Sequence, residues 1–407
     1  MRILYIHQYF ATRKGATGTR SYEFGRRWVE SGHQVDILTS SAELTQESSH
    51  SQVGSAQVGG MGIHVCRIPY DNTMGAGARI LRFFLFAIQA TLSGARLPKP
   101  DVIYATSTPL TVGFPAVLLS WRFRCPLVFE VRDLWPEAPI QLGWLRPAPL
   151  KWLARRLERW IYRNSRRVVT LSPGMAEGVI GTGYEAERVA MIPNCSDNDL
   201  FDPDFEAEEL REREGISGFL AIYCGTLGPA NRVRDMIEVC RRLQEAGSSI
   251  TVAILGTGRE EELLRRGVRE FDLRNLRVEG ERSKLQVRDW IAASDLGLVL
   301  FDRVPILETN SPNKFFDYCA GGKPTLINIG GWIADLVEGE AIGFAVRDGS
   351  PETVAETLIR AEGDTEELKR MGRRARRVAE ERFDRDLLAQ RALGILESAF
   401  AEDRTGP

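Results

Sequence analysis

A chain of 407 residues, with 43% hydrophobic and 27% charged side chains and no low-complexity tract, is long enough for two or three domains with cores of their own. A net charge of -2 argues against a nucleic-acid role, and six cysteines without CxxC spacing argue against a zinc site or a disulfide framework, leaving reduced core thiols and a cytoplasmic setting as the expectation. The apolar start Met1–Ile6 is too short for a signal peptide, and the run Ile80 to Leu92 is broken by Arg82 and Gln89, so no transmembrane helix is expected.

Arg2 to Ile6 predicts a buried strand, a loop holding Gly15 and Gly18, an amphipathic helix over Thr19 to Ser31, and a second strand over Gln34 to Thr39. Strand, glycine-bearing loop, helix and strand in that order make a βαβ unit of a parallel sheet. The loop lacks the full G-x-G-x-x-G fingerprint, which disfavours a nicotinamide or flavin enzyme. Gly15 and Gly18 can still let backbone approach a phosphate or sugar; the plainer alternative is a flexible surface loop. Residues 41 to 62, rich in Ser, Gln and Gly, predict a long exposed loop. Strands follow at Ile63 to Ile68, Val102 to Ala105 and Leu127 to Val131. The last delivers Arg132 and Asp133 to the carboxyl edge of the sheet, where open α/β sheets bind ligands, so these two are candidates for an active-site charge pair or a structural salt bridge.

Residues 79–96 and 146–167 suit a membrane surface. The first holds the apolar run Ile80 to Ile88 beside Arg79, and the second sets eight Lys and Arg against the single acid Glu158, interleaved with Trp152, Trp160 and Tyr162. A helix with a solvated basic face is the competing reading. Met191 to Pro203, dense in turn formers, predicts a domain boundary, and its Asp197-Asn-Asp199 reads as a turn rather than a metal-binding D-x-D. A second βα series then begins at Phe219 to Cys224 and continues through Ile250 to Leu255, Leu276 to Val278, Leu296 to Phe301, Thr325 to Asn328 and Gly343 to Val346. A helical tail from about Pro351 is interrupted near Glu381 to Asp384. The expected architecture is α/β, two doubly wound domains in tandem.

The segment Glu308 to Pro324 carries the most chemistry. Ser311 as N-cap and Pro312 as first helical residue predict a helix that stops at Gly321-Gly322. The free N–H groups at its start, the helix dipole and Lys314 make an anion site, and Asp317, a turn further in, can accept hydrogen bonds from two neighbouring sugar hydroxyls. One segment can thus hold a diphosphate and its ribose; an amphipathic helix with a surface Lys-Asp pair is the plainer reading.

Gly15-x-x-Gly18, Gly32-His33, Glu130-Val-Arg-Asp-Leu-Trp-Pro-Glu137, Ile192-Pro-Asn194, Gly256-x-Gly258 and Ser311-Pro-Asn-Lys-Phe-Phe-Asp-Tyr318 occur in an order and spacing that resembles the family 4 glycosyltransferases, and within them the WbuB-like branch of bacterial surface-polysaccharide enzymes. The resemblance covers nearly the whole chain. It implies the GT-B fold, with the active site in the cleft between an acceptor-binding domain at 1–193 and a nucleotide-sugar-binding domain at 206–385. Residues 194–205 would form the linker, and a helix at 386–407 would pack back on the first domain. It implies transfer with retention, no metal and no cofactor beyond the nucleotide-sugar donor, a uridine diphosphate sugar by preference, and a saccharide or polyprenyl-linked acceptor. On these positions Asp317 replaces the family's ribose-binding Glu, and Glu308 resembles its upstream acid near the donor sugar. Backbone around Ser311, Asn313 and Lys314 would hold the diphosphate, with Gly256 nearby and Arg282 toward the base. Arg232 stands where relatives carry a basic residue, and Arg132-Asp133 replaces the common His-Asp.

A departing diphosphate beside an oxocarbenium-like centre calls for charge stabilisation, which Arg232, Lys314 and the helix start can supply while Asp133 or Glu308 orients hydroxyls. Loss of either cation is expected to lower kcat by ~10²-fold or more. Rivals are a nucleotide-sugar epimerase of similar architecture, which would consume donor without acceptor, and a non-catalytic scaffold, which would bind no nucleotide.

Overall fold

A computed structural model describes residues 1–13, 15, 18–41, 56–68 and 76–405. The chain divides into two compact units, Met1–Pro193 with Asp386–Pro407, and Asn194–Arg385. Residues 194–205, expected as a linker, therefore cluster with the second unit, and Cys195, Ser196 and Asp197 in that stretch are buried.

In the first unit, strands β1 (Arg2–Ile6), β2 (Gln34–Ser40), β3 (Ala56–Val58), β4 (Met61–Cys66), β5 (Val102–Thr106), β6 (Leu127–Val131), β7 (Arg167–Thr170) and β8 (Val189–Met191) form one sheet in the order β3-β4-β2-β1-β5-β6-β7-β8. All neighbours pair in parallel except β3 with β4. The central strands are continuous apolar runs because helices cover both faces; Val102, Ile103, Tyr104 and Ala105 have no exposed surface. One expectation changes here. The tail of the supposed loop at 41–62 is a β3–β4 hairpin, turned by Gly59 and Gly60 at φ 58° and 77°, where two positive φ values suit a tight hairpin. Residues 42–55 lie outside the described residues. The strand β8 leads into the turn region of Met191 to Pro203; it is three residues long at the sheet edge, too short to announce itself by periodicity.

The second unit holds β9 (Leu220–Cys224), β10 (Thr251–Leu255), β11 (Leu276–Gly280), β12 (Leu296–Val299), β13 (Thr325–Ile327) and β14 (Gly343–Ala345), all parallel, in the order β11-β10-β9-β12-β13-β14. Numbered from its own first strand this is 3-2-1-4-5-6, the doubly wound order. Its core runs from Ala221 and Tyr223 through Val252, Ile254 and Leu298 to Leu358 and Leu368. Each sheet reverses direction once, between β1 and β5 and between β9 and β12. A crevice opens at the carboxyl ends at such a reversal, and ligands of open α/β sheets bind there.

The tail is three helices, Pro351–Glu362, Thr365–Arg382 and Arg385–Thr405. The last belongs to the first unit beyond Arg385, where Trp28 donates its indole N–H to the Ala389 carbonyl at 2.9 Å and Arg27 pairs with Asp386. Among the described residues, no helix is long and apolar enough to cross a membrane.

Candidate active site

The second unit's reversal point is built by packing before it is built by charge. Gly297 in β12 leaves the space that Tyr318 fills, since a Cβ there would stand 2.3 Å from the Tyr318 ring. Tyr318 accepts from the Cys224 amide at 3.1 Å, so helix Asn313–Ala320 is pinned against β9 and β12. Gly256 and Gly258, at φ 142° and 154°, let the loop after β10 close on the loop after β9. A Cβ on Gly256 would overlap the Gly225 carbonyl at 1.9 Å, and one on Gly258 the Leu227 carbonyl at 2.4 Å. The G-x-G pair thus serves this close backbone approach.

Lys314 is the result. Its Nζ lies 4.0 Å from the centroid of the Tyr223 ring and rests across Gly225, where a Cβ would come within 3.1 Å of it. Among the described residues no carboxylate pairs with it, and burial brings its pKa down to about 7. The helix it starts has no side-chain cap. Ser311 is not the N-cap. Pro312 takes that position in extended conformation, and the Ser311 hydroxyl accepts from the Asn194 amide at 3.2 Å while the Ser311 carbonyl accepts from the Asn194 side chain. Asn313 is the first helical residue and is partly exposed beside Lys314. An open helix start beside an unpaired ammonium has the donors and the charge to hold an anion.

Other candidates are already engaged. Arg232, at φ 46° in the loop after β9, donates to Asp235 at 2.7 Å and to Asp302 at 2.9 Å, and the Asp302 hydrogen bond does most to hold its pKa above the ordinary value. Arg282 pairs with Glu279 at 3.1 Å. Asp317 is buried rather than part of a surface Lys-Asp pair. Lys284 donates to both its oxygens, at 2.8 and 2.9 Å, and also lies 3.3 Å from Asp197, which Arg385 engages. Burial pushes the Asp317 carboxyl up and the Lys284 ammonium opposes it. Glu308 is exposed, its carboxylate beside Gly330, where a Cβ would stand 3.5 Å from it.

At the first unit's reversal point, Arg132 and Asp133 form no direct ion pair with each other, because neighbouring residues leaving a strand point apart, but the Arg132 charge still favours the Asp133 carboxylate. Arg132 reaches to 3.5 Å from His7 Nε2, and the Thr108 hydroxyl donates to Asp133 at 2.9 Å. Burial pushes the Asp133 carboxyl above its ordinary range, and it pushes His7 well below its own with help from Arg132. His7 Nδ1 lies 2.8 Å from the Ser21 hydroxyl. His7 is a candidate that the sequence did not single out; its signal is to be the first polar residue after β1, at the reversal point. Lys14, Ala16 and Thr17 lie outside the described residues, so the Gly15 and Gly18 loop expectation is only partly in view. The Gly15 amide donates to the Thr12 carbonyl at 2.9 Å, and nothing in its surroundings demands a glycine.

Residues 15–195 match the family described as Glycosyl transferase 4-like domain, and residues 206–378 match Glycosyl transferases group 1. The chain belongs to the family 4, group 1 glycosyltransferases. WcaL of Escherichia coli (strain K12), whose name assigns it to glycosyltransferases of colanic acid biosynthesis, is 25% identical over 167 residues, 40% of this chain and 41% of WcaL, so the match spans well under half of that relative. Among solved structures, Anabaena HepE in complex with UDP and glucose aligns with a TM-score of 0.72 at 19% identity, covering 98% of this chain and 100% of that one. Sucrose-phosphate synthase from Thermosynechococcus elongatus aligns at 0.79 with 13% identity, covering 98% and 99%. WaaG, a glycosyltransferase involved in lipopolysaccharide biosynthesis, aligns at 0.67 with 16% identity, covering 97% and 99%. At these identities the likeness speaks for the fold, which is GT-B. In this glycosyltransferase, two unrelated-looking stretches of sequence, the strand end at His7 and the helix start at Lys314, each lie at the reversal point of their own sheet.

Proposed function

We propose that this glycosyltransferase moves a sugar from a nucleotide diphosphate donor, preferably a UDP-sugar, to a saccharide or lipid-linked acceptor in surface-polysaccharide synthesis, with retention of configuration and without a metal. The unpaired Lys314 ammonium at the uncapped helix start carries the reading. A diphosphate leaving group needs a positive centre fixed before the bond opens, in surroundings drier than water, and Lys314 on Tyr223 and Gly225 is one. HepE holds UDP in a fold of this kind, which supports uridine as the base. In the first unit, Asp133 and neutral His7 offer acceptors of the type that orient a sugar hydroxyl, and the proton of the attacking hydroxyl passes to the departing phosphate.

A membrane-bound acceptor fits the outer face of the first unit. Helix Ala76–Gly94 exposes Ile80, Leu81, Phe84, Leu85, Ile88 and Leu92. Helix Gly113–Phe123 packs against it and against helix Ala148–Arg163, and exposes Phe114 and Trp121. On the third helix, Trp152 is 64% exposed with Arg156 over its ring, Lys151 and Arg159 lie on the same helix, and the Arg159 charge acts on Glu158. Basic and aromatic groups side by side suit anionic headgroups, which supports a peripheral position on the inner face of the cytoplasmic membrane.

Calorimetry with UDP, GDP and ADP in EDTA tests the donor site: selective UDP binding that Lys314→Met abolishes is expected. No nucleotide binding to folded protein would overturn it, and donor consumption without acceptor would favour an epimerase. Cosedimentation with anionic vesicles at low salt is expected to require Lys151, Arg156 and Arg159.

A further inference from the structure

The family resemblance puts Asp317 at the nucleotide ribose, and the present inference rests on that placement and on the donor site proposed above. Asp317 is buried, with only 10% of its side chain exposed. What surrounds it explains how it can serve. Lys284 opens helix Lys284–Ala293, whose start is fixed by reciprocal bonds between Ser283 and Gln286. Its Nζ reaches both Asp317 oxygens at 2.8 and 2.9 Å, stays 3.3 Å from Asp197, and lies 4.9 Å from the Phe201 ring centroid. Arg385 engages Asp197 from the other side, so Lys284 stands between two carboxylates, one of which a second cation also holds.

A carboxylate offers about four acceptor sites, and Lys284 takes one on each oxygen. One on each oxygen remains, the number a vicinal diol needs. To accept from both hydroxyls the group must be ionised, which burial opposes. The charged and titratable groups that face Asp317 are Lys284 on its helix, Asp197 and Arg385 from the segments at either end of the unit, the Cys224 thiol on β9, and the Cys319 thiol on its own helix. Burial pushes both thiols far up, Cys224 to about 12, so both stay neutral through pH 9.

We propose that Lys284 is a positioning residue for the nucleotide ribose: its ammonium holds Asp317 as a fixed carboxylate, with one acceptor site on each oxygen turned to the ribose 2′ and 3′ hydroxyls. It acts only through Asp317. A purely structural cluster would stabilise the fold and leave the pH dependence of nucleotide binding unmoved.

The experiment is UDP calorimetry from pH 6 to pH 9 on the whole chain and on Lys284→Met and Lys284→Arg, with thermal melting alongside. The Met variant is expected to bind UDP at least tenfold more weakly at pH 7, with the deficit shrinking toward pH 9 as Asp317 ionises unaided. The Arg variant is expected to keep the parent pH profile. A folded Met variant with parent affinity, or with the same deficit at every pH, overturns the proposal. Should the Met variant fail to fold, Lys284→Met with Asp317→Asn removes the pair together and is expected to bind UDP as Asp317→Asn alone does; a further loss overturns the proposal. If the parent itself binds no nucleotide, the donor-site reading and this inference fall together, whereas parent binding with an unaltered Met variant defeats this inference alone.

Discussion

Arg20 and Lys314 are both cations close to a sheet reversal, one in each unit, and the chain treats them in opposite ways. Arg20 is 3% exposed and fully subscribed. It donates to Glu130 at 2.9 Å and to the Ile192 and Pro193 carbonyls at 2.9 and 2.7 Å, and stacks on Phe24. Glu130 in turn accepts from Tyr104 and Thr106, both at 2.6 Å; burial would raise its carboxyl, but Arg20 and its other partners hold it below the ordinary range. Lys314 has a ring and a glycine for company and, among the described residues, no carboxylate partner. A cation whose partners are all supplied by the chain holds the fold; one whose counter-charge is missing awaits a ligand.

The largest effect should come from breaking the satisfied member. Glu130→Ala leaves Arg20 buried without its anion, and loss of one partner of a buried pair costs about 3–5 kcal/mol. A matching drop in unfolding free energy by urea titration is expected; a loss below about 1 kcal/mol, the worth of an exposed pair, would break the contrast.

Lys314→Met should do the reverse. Turnover is expected to fall ~10²-fold or more, the scale of one lost stabilising donor, while the melting temperature holds or rises because an uncompensated charge has gone. The sign follows from linkage. With the folded pKa lowered from 10.5 to about 7, the unfolded chain binds the extra proton between those values. Parent stability therefore falls as pH drops through that window, a slope the Met variant lacks. The diphosphate should restore the charge, so UDP binding at pH 8 takes up a proton. Calorimetry in two buffers of different ionisation enthalpy reads that proton directly, and equal enthalpies in both buffers would count against Lys314 as the anion's partner.

The periodicity of the chain exposed most of this architecture, because fully buried parallel strands such as Val102–Thr106 and Leu220–Cys224 are unbroken apolar runs set off by glycine and amphipathic helices. Elements without such a run escaped: β8 is three residues at an edge, and β3 is a short antiparallel strand beside a two-glycine turn. At the candidate site, Lys314 was legible because a Ser-Pro-Asn-Lys helix start is local. What was not legible was pairing at a distance. Lys284 lies 33 positions from Asp317, and Asp302 lies 70 from Arg232, so no spacing rule shows that the first pair is closed and the second saturated. His7 and Asp197 escaped for the same reason. Each looks like an ordinary polar residue at a strand end or turn until the sheet brings Arg132 to one and Lys284 and Arg385 to the other.

The smallest effect is expected at Arg232, and its form matters more than its size. Among the described residues the guanidinium already faces two carboxylates, Asp235 and Asp302, so the local charge of the trio is negative with Arg232 present and more negative without it. A group so neutralised does little to stabilise a departing diphosphate, but its removal uncovers two anions that repel one. Arg232→Ala should therefore raise KM for the donor by up to about tenfold, roughly 1.4 kcal/mol, with kcat nearly unchanged. Adding Asp302→Asn should return most of the lost affinity, because the repulsion and not a missing contact is the cause. Steady-state kinetics on the two variants separates the possibilities. A ~10²-fold fall in kcat at constant KM would mean that Arg232 leaves its carboxylates for the phosphate in the transition state, and the contrast between a saturated cation and a waiting one would then hold for the free enzyme alone.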